Sequence, residues 1–392
     1  MAEGTSTITL SKRGAKRLRS GHPWGFRGEV LEASSSLEPG EVVDAVDQAG
    51  YLVGRGFYNP GSLIAFRMVT REPVALDEGF WSARLAHALA LRDVVVPEED
   101  TACRLVHAEA DGIPGLIVDR YGDILVLQSL TAGIDRALAM WTELLAARTG
   151  VRGILARNDP KARVLEGLPQ ERRVLHGEVP REVEIRENGY RFVVEPMTGQ
   201  KTGAFLDQRE NRAAAAAYAH GRVLDAFCYQ GWFGVQCARR ADEVVAVDGS
   251  QPALDFVARN ATLNEVDNVT PVRANVFDYL HRLDEEGQRF DVVLLDPPAF
   301  AKSRQSVASA TKGYKEINLR AMRLLPPGGV LVTSSCSFHM SEARFLAILE
   351  SAARDGHRAV QVLEKRTQSR DHPILLTHPE SYYLKCFVLR VL

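Results

Sequence analysis

Cysteine is scarce in this chain. Its 392 residues include 5 cysteines: Cys103, Cys228, Cys237, Cys336 and Cys386. The number is odd and the spacing wide, which excludes a disulfide framework, and no pair has the separation of zinc ligands. Long apolar runs are missing too. No stretch approaches the roughly eighteen continuous apolar residues of a membrane span, so no membrane partner is expected. The N-terminus has no apolar signal region, and a cytoplasmic protein is expected. Net charge is slight, formally -2 at pH 7, so the chain as a whole is not a basic coat for nucleic acid. No internal repeat is visible, and the only low-complexity tract is Ala213 to Ala217.

What remains is ordinary soluble composition, 45% hydrophobic, at a length that suits two or three domains. Residues 1–73 are strand-rich, with turns at Glu38-Pro39-Gly40, Gln48-Ala49-Gly50 and Asn59-Pro60-Gly61, and read as a small β-barrel. Within them, residues 11–27 carry Lys12, Arg13, Lys16, Arg17, Arg19 and Arg27 and no acidic residue. Such a local patch suffices to contact phosphates; it could equally be a solvated helix face. Residues 74–188 mix helical periodicity (Phe80 to Val96, Leu138 to Thr149) with short strands, an α+β unit. Residues 189–392 alternate strands and helices regularly, the pattern of a doubly wound α/β sheet.

The first of those strands, Val223 to Phe227, runs into Cys228-Tyr229-Gln230-Gly231-Trp232-Phe233-Gly234. Gly231 and Gly234 allow a tight turn and close backbone approach to a ligand. The next strand ends in Asp248, about 20 residues on, where a carboxylate can accept both hydrogen bonds of a ribose diol. The G-x-G-x-x-G dinucleotide fingerprint is absent, because Phe227 and Tyr229 stand where glycine is needed. Without a pyrophosphate-binding turn, NAD is disfavoured and a nucleoside cofactor such as S-adenosylmethionine fits better. Asn275 and Asp278 follow the third strand; each can meet an adenine edge or cap a helix.

Two further segments carry the chemistry. Asp296-Pro297-Pro298-Ala299-Phe300 follows the apolar run Val292 to Leu295, and Ser334-Ser335-Cys336-Ser337 follows Val330 to Thr333. One helix, about Gly313 to Leu325, joins the two runs, so the crossover rule makes the strands neighbours. Asp296 and Cys336 then share the carboxyl edge of the sheet, where ligands bind. Cytosine C5 is too weak a nucleophile to take a methyl group from a sulfonium. Thiolate addition at C6 makes C5 enamine-like, and an adjacent carboxyl group can bond the N3/N4 edge. A structural cysteine is the alternative. An Asp/Asn-Pro-Pro-aromatic turn also serves enzymes that methylate exocyclic amino groups. The target base must be single-stranded or flipped. The stretch Ala301 to Thr311, rich in Ser and Lys/Arg, reads as a mobile loop.

Nearly end to end, the chain resembles the bacterial large-subunit ribosomal RNA cytosine-5 methyltransferases with an N-terminal PUA domain. The resemblance rests on Gly21-His22-Pro23-Trp24, Lys201 to Arg209, the Asp225 to Gly234 turn, Asp296 to Phe300, Gly313 to Asn318, Ser334 to Ser337 and Asp371-His372-Pro373. It implies a PUA domain, a central α+β domain and a Rossmann-like class I methyltransferase domain with a seven-stranded sheet. It implies S-adenosylmethionine as cofactor and large-subunit ribosomal RNA as partner. Cys336 would be the nucleophile and Asp296 the active-site acid. Asp225, Phe227, Tyr229, Gln230, Gly231, Asp248, Gly249, Asn275, Val276, Asp296 and Pro297 would line the cofactor pocket. Lys12, Arg13, Lys16, Arg17, Lys201, Gln208, Arg209, Lys302 and Lys315 are candidate RNA contacts. Two other functions fit the same residues: an amino-directed base methyltransferase with a structural Cys336, and a noncatalytic RNA-binding protein that keeps the fold. Oligomeric state is open, a homodimer being one form the sequence allows.

Overall fold

The computed structural model describes residues 5–301 and 305–392. Lys302 therefore lies outside the described residues. Contacts divide the chain into two compact units: 1–185 with 194–206 and 370–381, and 186–193 with 207–369 and 382–392. The first two expected segments thus fall in one unit, and two later stretches of chain return to it.

The first unit holds two sheets. One is six-stranded, in the spatial order Trp24–Gly25, Phe66–Thr70, Leu52–Tyr58, Glu41–Val46, Ser6–Leu10, Val30–Glu32. Ile8, Leu10, Val43, Ala45 and Phe66 form its core with Ala15 and Leu18. Those last two belong to the helix Lys12–Arg19, whose N-cap Ser11 accepts the Gly14 N–H, a strong helix start. With Gly14, Ala15 and Leu18 turned inward, Lys12, Arg13, Lys16 and Arg19 are left exposed. The other sheet is five-stranded, in the order Glu171–Gly177, Gly153–Asn158, Ile124–Ser129, Leu116–Tyr121, Ala102–His107. The helices Glu78–Val95 and Leu138–Thr149 pack on it through Trp81, Leu85, Trp141 and Leu145.

In the second unit we number seven strands: β1 Arg222–Ala226, β2 Glu243–Asp248, β3 Val269–Arg273, β4 Val292–Leu295, β5 Val330–Ser335, β6 Val360–Arg366 and β7 Lys385–Val391. Their order is β3-β2-β1-β4-β5-β7-β6. Strands β1 to β5 pair in parallel, and β7 runs antiparallel to both β5 and β6. Alternate residues feed opposite faces. Leu224, Val245, Val293, Leu295 and Leu331 enter one core, while Val223, Val244, Val292, Leu294 and Val332 enter the other. Helices cover both faces, which is why these strands read as continuous apolar runs rather than alternating ones. The order reverses between β1 and β4, so the crevice for a ligand opens at their carboxyl ends.

One expectation is corrected. The helix between β4 and β5 spans Val307–Leu324, so residues 307–311 are helical rather than loop. Ala310 and Tyr314 are both buried in the same core, one helical turn apart, and this packing outweighs the weak helix preference of the Ser- and Thr-containing start. A hairpin, Val183–Glu187 and Tyr190–Val194, turns through Asn188 and Gly189 at φ 53° and 78°, as an Asn-Gly turn favours. Its tip belongs to the second unit. There Glu187 takes both guanidinium bonds of Arg212 at 2.6 and 2.7 Å, and Phe192 stacks on Trp232 with centroids 4.5 Å apart.

Candidate active site

The turn after β1 does with aromatic residues what glycines usually do. Phe227, Tyr229 and Gly231 have φ of 65°, 48° and 77°. A bulky side chain at positive φ is strained, and such residues cluster at functional sites. The conformation is over-determined by its hydrogen bonds. Cys228 N–H bonds Val247 O at 3.0 Å and Gly231 N–H bonds Cys228 O at 2.8 Å. The Asn260 amide donates to Gln230 O at 3.0 Å. Gly231 cannot carry a side chain, since a Cβ would fall 2.9 Å from both Val257 methyl groups.

Two carboxylates brace this turn. Asp248 accepts Tyr229 N–H at 3.0 Å and Ser250 N–H at 2.9 Å. Asp225 is buried and accepts Gly234 N–H at 2.8 Å. Its pKa is pushed up to about 7 by burial; the Gly234 N–H opposes that, and the charges of Asp296 and Asp248 add to it. The carboxylates of Asp225, Asp248 and Asp296 thus share one negative field, suited to a cation. The side-chain oxygen of Gln230 is buried with no hydrogen-bond partner among the described residues, an acceptor that a ligand donor can satisfy. A Cβ at Gly249 would meet nothing closer than Ala274 O at 3.8 Å, so the backbone there is open to approach. These features fit S-adenosylmethionine, with its sulfonium, amine and ribose hydroxyls. Asn275 caps the helix Val276–Glu285, accepting Phe277 N–H at 3.0 Å, and Val276 is buried; the capping alternative is the bond that is present.

Beyond β4, Asp296 accepts a hydrogen bond from the Gln208 amide at 2.7 Å. Gln208 is oriented in turn by Asn211, which donates to its oxygen at 2.6 Å. Beyond β5, Cys336 is half-buried while the other four cysteines are buried. Burial raises the Cys228 thiol well above its ordinary value and pushes Cys386 up to about 12, so these stay protonated. Because β4 and β5 are adjacent, with Leu295 opposite Thr333, the two loops meet: Cys336 Sγ lies 3.9 Å from Pro297 O.

The serines around Cys336 hold its loop. Ser335 and Ser337 hydroxyls lie 3.0 and 3.1 Å from Tyr314 OH, and Ser337 Oγ accepts Ala301 N–H at 3.1 Å. The sequence reading missed Tyr314 and Lys385. Lys385 begins β7 directly opposite Ser335, is 2% exposed, and donates to the Ser337 and Tyr383 carbonyls, each at 2.8 Å. The available signal was a lysine inside the apolar run Leu384 to Val388.

The candidate RNA contacts separate into two groups. Lys12, Arg13 and Lys16 are exposed, while Arg17 is turned onto Glu29 at 2.9 Å. Lys315 pairs with Asp355 at 2.5 Å. Lys201 lies 4.4 Å over the Phe205 ring. Gln208 and Arg209 are buried at 2% and 1% exposure. Interior side chains cannot reach a phosphate without rearrangement, and Gln208 instead serves Asp296.

The strand order, the antiparallel seventh strand and the turn after β1, braced by Asp225 and Asp248, define a Rossmann-like, S-adenosylmethionine-dependent methyltransferase. Residues 169–375 match the family described as S-adenosylmethionine-dependent methyltransferase, and residues 8–71 match a PUA-like domain. The chain belongs to the family of the ribosomal RNA large subunit methyltransferases I. The relative of that name from Photobacterium profundum is 42% identical, with 99% of this chain and 100% of that protein covered. The one from Aeromonas hydrophila is 42% identical over 98% and 99%. In fold, the chain matches a methyltransferase solved with SAH (TM-score 0.85, 21% identity, 99% and 100% covered). It also matches one from Streptococcus mutans (TM-score 0.83, 21% identity, 99% and 100% covered). Among the described residues no helix is long and apolar enough to cross a membrane, and none form a metal-binding cluster.

Proposed function

We propose that this chain methylates C5 of a cytosine in large-subunit ribosomal RNA, using Cys336 as a covalent nucleophile. The observation that carries the reading is the position of Cys336: the most accessible of the five thiols, at the sheet's carboxyl edge, against the Asp296-Pro297 turn. The relatives' name supplies the RNA class.

When bound, S-adenosylmethionine supplies an electrophilic methyl group. Asp248 is placed for the ribose diol, and Gln230 and Asp225 for donors and positive charge. Cys336 Sγ bonds C6 of the base, moving electron density to C5. Asp296, held by Gln208, bonds the N3/N4 edge and favours the adduct. After methyl transfer the C5 proton leaves and the Sγ–C6 bond breaks, restoring Cys336. Pro297 and Pro298 lack N–H donors and keep the loop stiff around the inserted base. The exposed Lys12, Arg13 and Lys16 hold RNA phosphates.

The competing amino-directed reading needs no thiol. Nucleoside mass spectrometry of an unmodified large-subunit RNA transcript, treated with the enzyme and cofactor, separates the two. 5-Methylcytidine supports the reading, and a base methylated on its exocyclic amine contradicts it.

A further inference from the structure

A lysine that is 2% exposed is rare unless paired, and among the described residues no carboxylate bonds Lys385. Its Nζ is held by two neutral acceptors, the carbonyls of Ser337 and Tyr383. One of them belongs to the residue after Cys336. Two of its hydrogens are therefore fixed, which leaves one position on nitrogen, a third N–H or a lone pair, for another neighbour. The β7 register puts Lys385 across from Ser335, the residue before Cys336. Both flanks of the nucleophile thereby meet this residue, Ser337 through its side chain and Ser335 through the strand register.

We propose that Lys385 is a positioning residue that sets the ionisation of Cys336. Its ammonium, held on the carbonyl of the residue after Cys336, favours the sulfur as a thiolate, the thiol proton passing to solvent. The proposal rests on the nucleophile reading above. In the step, the S–H bond breaks and its proton passes to solvent water. The sulfur electron pair then makes the Sγ–C6 bond, and the C5–C6 π pair moves into the ring. After C5 has taken the methyl group, loss of the C5 proton re-forms the C5–C6 π bond, and the Sγ–C6 bonding pair returns to sulfur beside the ammonium.

The surroundings support a cation beside the sulfur. Burial lowers the Lys385 pKa to about 8, while the negative charges of Cys336 and Glu342 pull it back up. A lysine near 8 is still largely cationic at neutral pH. Glu342 is already engaged by Lys365 at 3.0 Å and by Tyr382 OH at 2.9 Å. The Tyr382 ring lies 5.9 Å from Nζ. Tyr314, raised by burial and by Cys336, stays neutral. Asp296, across the crevice, opposes the thiolate, which makes a nearby cation more necessary.

The test is the rate of Cys336 alkylation by iodoacetamide against pH in the full chain, read on the Cys336 peptide by mass spectrometry. The wild-type midpoint is expected below about 8.5, the value of a free thiol; a midpoint at or above it overturns the proposal without any variant. In Lys385→Met the midpoint is expected to rise by at least one pH unit, so that alkylation at pH 7 falls about tenfold. Lys385→Arg, permanently cationic, is expected to keep a low midpoint. Superimposed wild-type and Lys385→Met profiles, in protein that still binds S-adenosylmethionine normally, overturn it. The nucleophile reading fails separately, by the absence of a Cys336 adduct with 5-azacytidine RNA in the wild type.

Discussion

The Gln208 amide sits 2.7 Å from Asp296 Oδ1, and Asn211 fixes its orientation from the other end at 2.6 Å. A hydrogen bond to a charged group contributes about 1.5–3 kcal/mol. Gln208→Ala should therefore lower kcat by roughly tenfold to a hundredfold with S-adenosylmethionine affinity little changed. Gln208→Glu should do worse, because it sets a second carboxylate against Asp296. Single-turnover methylation and calorimetric titration check both; equal activity of the two variants would contradict the role.

Asp225 predicts a pH dependence of cofactor binding. Its pKa is up from the usual 3.8 to about 7, and a sulfonium favours the ionised form. Affinity should thus rise with pH up to about 7 and level off above, with proton uptake by buffer on binding below that point. SAH, lacking the positive charge, should show a shallower slope. The stability consequence has the opposite sign. Between about 4 and 7 the native state binds more protons than the unfolded chain, so this group makes folding less favourable as pH rises. Titration in two buffers of different ionisation heat measures the protons.

Gly234 is a packing prediction. A Cβ there would lie 2.9 Å from Asp225 Oδ2 and 3.1 Å from a Val244 methyl. Gly234→Ala should cost about 1–3 kcal/mol of stability and weaken S-adenosylmethionine binding by displacing Asp225. Denaturant unfolding and calorimetry together test this; an unchanged protein would mean the helix behind the turn shifts freely.

The exposed basic helix predicts salt-dependent RNA binding. Replacing Lys12 and Lys16 by Ala should weaken RNA binding across sequences and reduce the salt slope by about one per residue, leaving S-adenosylmethionine affinity unchanged. Filter binding at several salt concentrations reads it.

Much of the second unit was legible because its signals are local. Strands such as Val292 to Leu295 and Val330 to Thr333 announce themselves as apolar, β-branched runs, and the crossover rule then places Asp296 beside Cys336. The strands Ala102–His107 and Glu171–Gly177 were not anticipated. The second is an exposed edge strand of mostly polar residues, with no alternation to read. The helix at Val307–Leu324 began earlier than expected because tertiary burial of Ala310, invisible in local composition, decides its start. Lys385 and Tyr314 were missed for a related reason: their importance lies in partners far along the chain. Gln208 and Arg209 are candidate cofactor or RNA contacts by residue type, and the fold buries both.

The most direct test is covalent trapping. The protein and S-adenosylmethionine are incubated with large-subunit RNA containing 5-azacytidine, then resolved on a denaturing gel and mapped by peptide mass spectrometry. The account predicts a denaturant-resistant adduct on Cys336 that disappears in Cys336→Ala, a variant that still binds cofactor. Methyl transfer to ordinary RNA without any such adduct, or a Cys336→Ala protein that turns over normally, would contradict it.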